Sequence, residues 1–399
     1  MPATEVMSTN SEGAFAFSRQ DVTLGNWRES PYSRWAFHNL RELVPTAEIS
    51  CGFPRVENPV ASSDLLSERI STGIEGITSV LEHLEFSHTD AFVLMRRGEI
   101  IGEYYAPYSG IEKPHVVFSV SKSITAVVSG ILEGQGLIDP DMPVSDYLPE
   151  AKGSAYGDCR YRDVLDMRVS LDFNEAYLDR NGAFARYRRA MLWNPPEPGT
   201  TAEDLRSFLV SLRKGEGPHG GRFFYASPNS DLLGMILERV TGKRYADLVS
   251  DLLWKPMGAA SHGYVTVDSA GTARSAGGVC VTVRDLGRVG ELVRTEGVIA
   301  GRQVLPRTWI ADMLANGDGD AWKAGGENIF PEGRYRSQWY QSGEQSGAFC
   351  AIGIHGQWIY IDPSKEITIA KASSQPKPVD DEMKFANLAF YRAVCDLAG

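Results

Sequence analysis

Apolar runs long enough to span a bilayer, about 18 residues or more, are absent from the sequence, so no membrane helix is expected. Basic residues are in deficit: 40 Lys and Arg against 51 Asp and Glu leave a formal net charge of −11. Non-specific nucleic-acid binding needs a clustered cationic face to replace phosphate counterions, and the densest basic run is only Arg186, Arg188 and Arg189. That run reads as a solvated helix face or, alternatively, as a charged wall beside a substrate site. Cysteine is sparse: Cys51, Cys159, Cys280, Cys350 and Cys395 are odd in number, far apart and never arranged as C-x-x-C. This spacing argues against zinc and redox dithiols and for a reducing compartment. The seven histidines show neither H-E-x-x-H nor paired ligand spacing, and the glycine pair Gly277-Gly278 lacks the G-x-G-x-x-G or Walker pattern, so neither metal nor cofactor is expected. Met1 to Phe17 carries Glu5 and Glu12 and lacks both a basic stretch and a continuous apolar core. It is not read as a secretory signal, and a cytoplasmic location is expected.

What is present is an ordinary globular composition, 43% hydrophobic and 23% charged over 399 residues, enough for one large or two ordinary domains. Residues 1–70 are rich in turn formers and punctuated by Trp27, Tyr32, Trp35 and Phe37, which suggests an irregular arm packed on the body. Ile74, Ile77, Val80, Leu81 and Leu84 fall at helical spacing. Ala91 to Met95 and Glu99 to Tyr105 flank Arg96-Arg97-Gly98, the pattern of a β-hairpin. From Ser119 to Gly134 the apolar positions run around much of a helix, which should therefore be buried. Between about Asp139 and Pro256 the pattern is helix and loop, with a break at Pro195 to Gly199 and helices over Leu205 to Leu212 and Leu232 to Thr241. Thr282 followed by Asp285 marks another helix start. Ala351 to Ile361 and Ile367 to Ala372 read as a second hairpin around Asp362 to Lys365. Strands near both ends with helices between predict an α+β chain: an α/β sheet domain from residues 71–118 and 271–399, and a mainly helical domain, 119–270, inserted into it.

The chemistry centres on Phe118-Ser119-Val120-Ser121-Lys122-Ser123, an S-x-x-K at the start of the buried helix. Spacing of i and i+3 puts the Ser119 hydroxyl and the Lys122 amine on one face. A serine hydroxyl is a weak nucleophile until a neighbour takes its proton, and a lysine can do so when burial disfavours its ammonium form. The free N–H groups of a helix N-terminus can stabilise the oxyanion that follows attack on a carbonyl. Taken alone, the same four residues also describe an N-cap serine followed by a surface lysine.

Companion segments narrow the choice. In order come Gly136-Leu137-Ile138-Asp139 running on to Glu150, Tyr225-Ala226-Ser227-Pro228-Asn229, Thr241-Gly242-Lys243-Arg244-Tyr245, and Gly277 to Leu286. Together with S-x-x-K they resemble class C β-lactamases and related esterases. Arg34 to Phe37, Val164 to Met167, Asn174 to Tyr177, Gln338-Trp339 and Gly353 to Gln357 are similar to segments of the 6-aminohexanoate-oligomer (nylon-oligomer) hydrolases. The resemblance runs from about Trp27 onward and implies the penicillin-recognising, β-lactamase-like fold. It further implies that Ser119 is acylated, that Lys122 and Tyr225 handle its proton, and that the N–H groups of Ser119 and Ile354 form the oxyanion hole. Glu175, Tyr177, Ser227, Tyr340 and His355 are the substrate contacts it implies. Which of Lys122 and Tyr225 is the formal base stays open, because coupled groups titrate as a pair.

Two departures bear on activity. Ser227 stands where the tyrosine motif usually has asparagine, and the Lys-Thr-Gly strand motif is replaced around Ala351-Ile352-Gly353, leaving no lysine for a β-lactam carboxylate. The expected activity is therefore hydrolysis of small amides or esters rather than that of a β-lactamase or D-amino-acid peptidase. Ala276 lacks the polar side chain expected from the nylon-oligomer hydrolases, and the loop after Tyr177 carries Arg180, Arg186 and Arg188, so specificity is expected to have drifted. Gly277-Gly278 reads as tight packing against the Ser119 helix. No G-x-S-x-G elbow occurs, which argues against an α/β-hydrolase triad through His355. The expected partner is a small amide or ester, with neither nucleic acid nor membrane, and a homodimer is left open. A silent binding protein on the same fold is the alternative from another class; the joint presence of Ser119, Lys122 and Tyr225 argues against it.

Overall fold

The computed structural model describes residues 15–53, 59–61, 64–179, 181–200, 203–326 and 329–399. Strands from both sides of the helical stretch build one antiparallel sheet of seven, in the order Glu99–Tyr105, Thr89–Arg96, Ile367–Ser373, Gln357–Asp362, Phe349–Gly353, Trp339–Gln341 and Arg334–Arg336. The expected first hairpin is present, turning through Arg97 and Gly98 at φ of 53° and 83°, the left-handed pair that a two-residue turn needs. Its inner strand pairs with Ile367–Ser373, Leu94 opposite Ile369.

Alternation along these strands feeds two cores. Val93, Met95, Ile359, Ile361 and Ala370 enter one, while Phe92, Leu94, Trp358, Tyr360 and Ile369 enter the other. The helix Val283–Arg294 covers the first face, and the Thr282 hydroxyl caps it by accepting the Asp285 N–H, as the sequence indicates. It lies close because Gly290 faces the sheet: a Cβ there would come within 2.6 Å of Thr368 Cγ2. The helix Asp381–Ala398 covers the second face through Leu388 and Tyr391.

The helix Val120–Gly134 is buried from Val120 to Leu132. Its polar side chains are matched inside, where an unmatched one would be costly: Ser123 Oγ donates to Gln338 O at 2.7 Å, Thr125 Oγ1 to Ser275 O at 2.9 Å, and Ser129 Oγ lies 2.7 Å from the Tyr161 hydroxyl. Residues between Asp139 and Pro256 form helices and loops, including Ala183–Ala190, Leu205–Ser211 and Ser227–Thr241. A second antiparallel sheet, ordered Thr46–Ile49, Gly263–Thr266, Val279–Val281, His115–Val116, holds the approach to Ser119.

Three expectations need correction. The helix expected over Ile74 to Leu84 runs Val80–Phe86, because Ser79 and Glu82 close a capping box that fixes its start and leaves Ile74 and Ile77 in turns. The N-terminal arm is more than irregular: Thr46–Ile49 is a strand paired with Gly263–Thr266, and Trp27 and Phe37 are fully buried. Ala351 to Ile361 is two strands, since His355 at φ 60° turns the chain between Phe349–Gly353 and Gln357–Asp362. All five cysteines are buried and free. Among the described residues no helix is long and apolar enough to cross a membrane.

Candidate active site

Ser119 stands at the N-cap of the helix Val120–Gly134, half-buried. The residue before it, Phe118, takes φ 41°, a left-handed conformation that is costly for a bulky side chain. Packing holds it there: its ring stacks on Trp27 at 6.2 Å and meets Phe37 edge-on at 4.9 Å. One turn on, the buried Lys122 Nζ lies 2.9 Å from Ser119 Oγ and donates to the Ala276 carbonyl at 2.8 Å. Burial pushes the Lys122 pKa down to about 7; the charge of Glu175 opposes that shift and Arg274 adds to it. A neutral amine beside the hydroxyl is the arrangement a proton acceptor requires.

The loop carrying Ala276 is itself held. Asp231, fully buried on the helix Ser227–Thr241, accepts the Ala276 N–H at 2.8 Å and binds the Arg274 guanidinium and the Tyr187 hydroxyl with its other oxygen. Tyr225 precedes that helix, and its ring centroid lies 5.1 Å from Lys122 Nζ. Glu175 accepts three hydrogen bonds, from Tyr177 OH at 2.6 Å and from Ser227 N–H and Oγ at 2.7 Å each. Gly353 ends its strand against Val117, where a Cβ would lie 2.8 Å from the carbonyl oxygen, and so brings Ile354 to Ser119.

A cavity of about 200 Å³ opens here, walled by Ser119, Tyr177, Tyr225, Tyr340 and Ile354. On the other side of Ser119 a narrower pocket includes Glu175, Ser227, Ala276, Arg28 and Arg188. The structure thus brings together Ser119, Lys122, Tyr225, Ile354, Glu175, Tyr177, Ser227 and Tyr340. His355 is the exception. Its imidazole packs against Phe37 and Phe118, its Nδ1 lies 2.7 Å from Gln375 O, and burial pushes its pKa down to about 4. It lines an outer cleft rather than the Ser119 cavity, and its left-handed backbone shapes the turn that carries Ile354.

Gly278 is crowded by Thr266 and Arg274 rather than by the Ser119 helix. Arg186 and Arg189 pair at the surface with Glu203 and Glu197, whereas Arg188 turns inward to donate to Tyr177 O at 2.9 Å; Arg180 lies outside the described residues. Sequence reasoning missed Phe118, Asp231, Arg274 and Arg28. Only Asp231 left a local sign, an acid on a helix face that is otherwise apolar. It also missed a buried trio able to hold a metal ion: ligand atoms of His38, Asp90 and His115 lie within 4.8 Å of one another. His115 Nε2 is already 3.0 Å from Asp90 Oδ2, and the other Asp90 oxygen accepts the Tyr108 and Ser374 hydroxyls.

Residues 79–392 match the family model described as Beta-lactamase. The chain belongs to the beta-lactamase family. As a member of this family of serine hydrolases it is 39% identical over 360 residues to a 6-aminohexanoate-dimer hydrolase of Paenarthrobacter ureafaciens, covering 90% of this chain and 89% of that one. Its fold matches a Bacillus anthracis protein provisionally named 6-aminohexanoate-dimer hydrolase, with a TM-score of 0.86 at 23% identity over 96% of this chain and 99% of that one. A class C β-lactamase from Rhodobacter sphaeroides shares the fold at a TM-score of 0.55 and 17% identity, over 77% of this chain and 96% of that one.

Proposed function

We propose that this beta-lactamase-family member cleaves small amides or esters, among them short-chain esters and amides like 6-aminohexanoate oligomers, through an acyl-enzyme on Ser119. The observation that carries the reading is the buried Lys122 amine, with its pKa near 7, 2.9 Å from Ser119 Oγ. Lys122 takes the Ser119 proton as Oγ attacks the substrate carbonyl carbon. The N–H groups of Ser119 and Ile354 receive the negative charge that develops on the carbonyl oxygen. As the C–N or C–O bond breaks, Tyr225 delivers a proton to the leaving group, and the Lys122–Tyr225 pair is the shuttle between the two events. Water then attacks the acyl carbon, gives its proton to the same pair, and Ser119 leaves with a proton restored. Glu175, Tyr177, Ser227 and Tyr340 shape the space for the substrate. Similarity to the Paenarthrobacter hydrolase supports the amide part of this reading, and the lack of a lysine at Ala351-Ile352-Gly353 weighs against β-lactams.

A fluorophosphonate probe reads the assignment directly. The wild-type protein should be labelled at Ser119, and undiminished labelling of Ser119→Ala would overturn it.

A further inference from the structure

Two guanidiniums, Arg28 and Arg188, stand in the wall beside Ser119. Arg28 lies over the ring of Trp27 at 4.7 Å, and Arg188 over that of Phe184 at 4.4 Å; such stacking fixes a guanidinium plane and aims its N–H edge. Their hydrogen bonds go to neutral oxygens: Arg28 Nη1 to Trp193 O at 2.8 Å and Nη2 to the Asn194 side chain, Arg188 Nη1 to Tyr177 O. Among the described residues neither forms an ion pair. Five N–H donors per guanidinium exceed these acceptors, so donors remain for a ligand. Burial disfavours the charged form of both groups, and neighbouring Glu29 and Glu175 offset it only in part. Burial pushes the Arg28 pKa down to about 9, with the Arg188 charge adding to it, and burial pushes Arg188 down to about 10. Of the carboxylates nearby, Glu175 already has three donors from Tyr177 and Ser227, and Glu29 and Asp179 line the outer cleft without an ion pair to either arginine among the described residues.

We propose that Arg28 and Arg188 form an anion subsite that selects substrates carrying a carboxylate on the acyl side of the scissile bond. The inference rests on the Ser119 acyl-enzyme reading. Its side assignment follows from the two cavities that meet at Ser119. Tyr225, the proton donor to the leaving group, lines the larger cavity and not the pocket of the two arginines, so the leaving group departs on the Tyr225 side and the acyl chain lies toward Arg28 and Arg188. Both arginines also line the outer cleft behind Tyr177, which leaves room for an acyl chain to end there. A carboxylate accepts paired N–H bonds from a guanidinium, whereas an ammonium group would meet two like charges, so linear 6-aminohexanoate oligomers, whose acyl end is an ammonium, should be cleaved only weakly.

Three 4-nitrophenyl esters of matched length test this: the monoester of adipic acid, the ester of hexanoic acid and the ester of 6-aminohexanoic acid. The wild-type protein should give kcat/KM in the order carboxylate, neutral, ammonium, with at least about tenfold between first and last, about 1.4 kcal/mol. In Arg188→Gln the ratio of carboxylate to ammonium ester should fall toward one, and in Arg188→Glu it should invert. Because a charge reversal can impair folding, inhibition of the wild-type protein supplies a second reading: adipate should compete with the neutral ester at least about tenfold more tightly than hexylamine. Equal rates on the three esters, or the ammonium ester hydrolysed fastest, would overturn the subsite while leaving the hydrolase reading intact. No turnover of any ester together with no fluorophosphonate labelling would overturn the acyl-enzyme reading itself.

Discussion

Asp231 reaches Lys122 through a single residue: Asp231 Oδ1 accepts the Ala276 N–H at 2.8 Å, and the Ala276 carbonyl accepts the Lys122 amine at 2.8 Å. The carboxylate also neutralises Arg274, whose side chain is nearly as deeply buried as its own. Removing one partner of a buried pair strands the other charge in a medium that solvates it poorly. Asp231→Ala should therefore cost about 3–5 kcal/mol, read from denaturant unfolding. A loss under about 1 kcal/mol would show that Arg274 finds water or another partner.

Lys122 serves as an acceptor only when neutral, and burial has moved its pKa down to about 7 from the ordinary 10.5. The neutral fraction grows as pH rises through that value, so kcat/KM for an uncharged ester should climb from about pH 5 to about pH 8 with an acid limb centred near 7. Lys122→Ala should lower kcat by about 10² or more. A limb centred near 10.5, or turnover close to wild type in the variant, would remove Lys122 from the proton path.

Tyr225→Phe deletes the hydroxyl and keeps the ring beside Lys122. Amines are poor leaving groups unless protonated, while nitrophenolate departs unaided. The variant should thus lose about 10² in kcat on an anilide and clearly less on the matching nitrophenyl ester. Equal losses on the two substrates would place the hydroxyl in positioning rather than in proton delivery.

In a penicillin or cephalosporin the carboxylate is attached beside the lactam nitrogen, on the leaving-group side. There the strand Phe349–Gly353 presents Ile352 and Gly353 and no lysine, and Lys384, which lines the same cavity, is paired with Asp381; the missing charge-assisted bond is a loss of about 1.5–3 kcal/mol. A short-chain ester should exceed a cephalosporin in kcat/KM by at least about tenfold. Cephalosporin turnover equal to or faster than ester turnover would reverse the substrate assignment.

Local pattern carried the reading of Ser119 to Gly134, of the turn at Arg97-Gly98 and of the cap at Thr282, because each depends on residues within a few positions of one another. The start at Val80 was lost for a related reason: an apolar period at Ile74 and Ile77 is weaker than the Ser79–Glu82 capping box, which was there to be weighed. The break at His355 had no such sign, since a non-glycine residue at φ 60° is stabilised by its surroundings and not by its own preference. Arg28 was invisible as part of the site for a third reason. It meets Trp193 and Asn194 across more than 160 positions, and only the folded arm brings it to Ser119.

The pairing of Thr89–Arg96 with Ile367–Ser373 also governs how the molecule is born. About 270 residues separate the two strands, so at roughly 5–20 residues per second the ribosome takes roughly 15–55 seconds to supply the second after the first. Throughout that interval Phe92 and Leu94 on one side and Val93 and Met95 on the other have no completed sheet to enter, and one edge of the strand stays open to any passing chain. Ile354, whose N–H is proposed above for the oxyanion hole, arrives almost as late, so the nascent polypeptide can carry Ser119 and Lys122 for much of its synthesis before that group is present. On that proposal hydrolytic competence comes only after Ile354 has been added, and the strand Thr89–Arg96 lacks one neighbour until Ile367–Ser373 arrives.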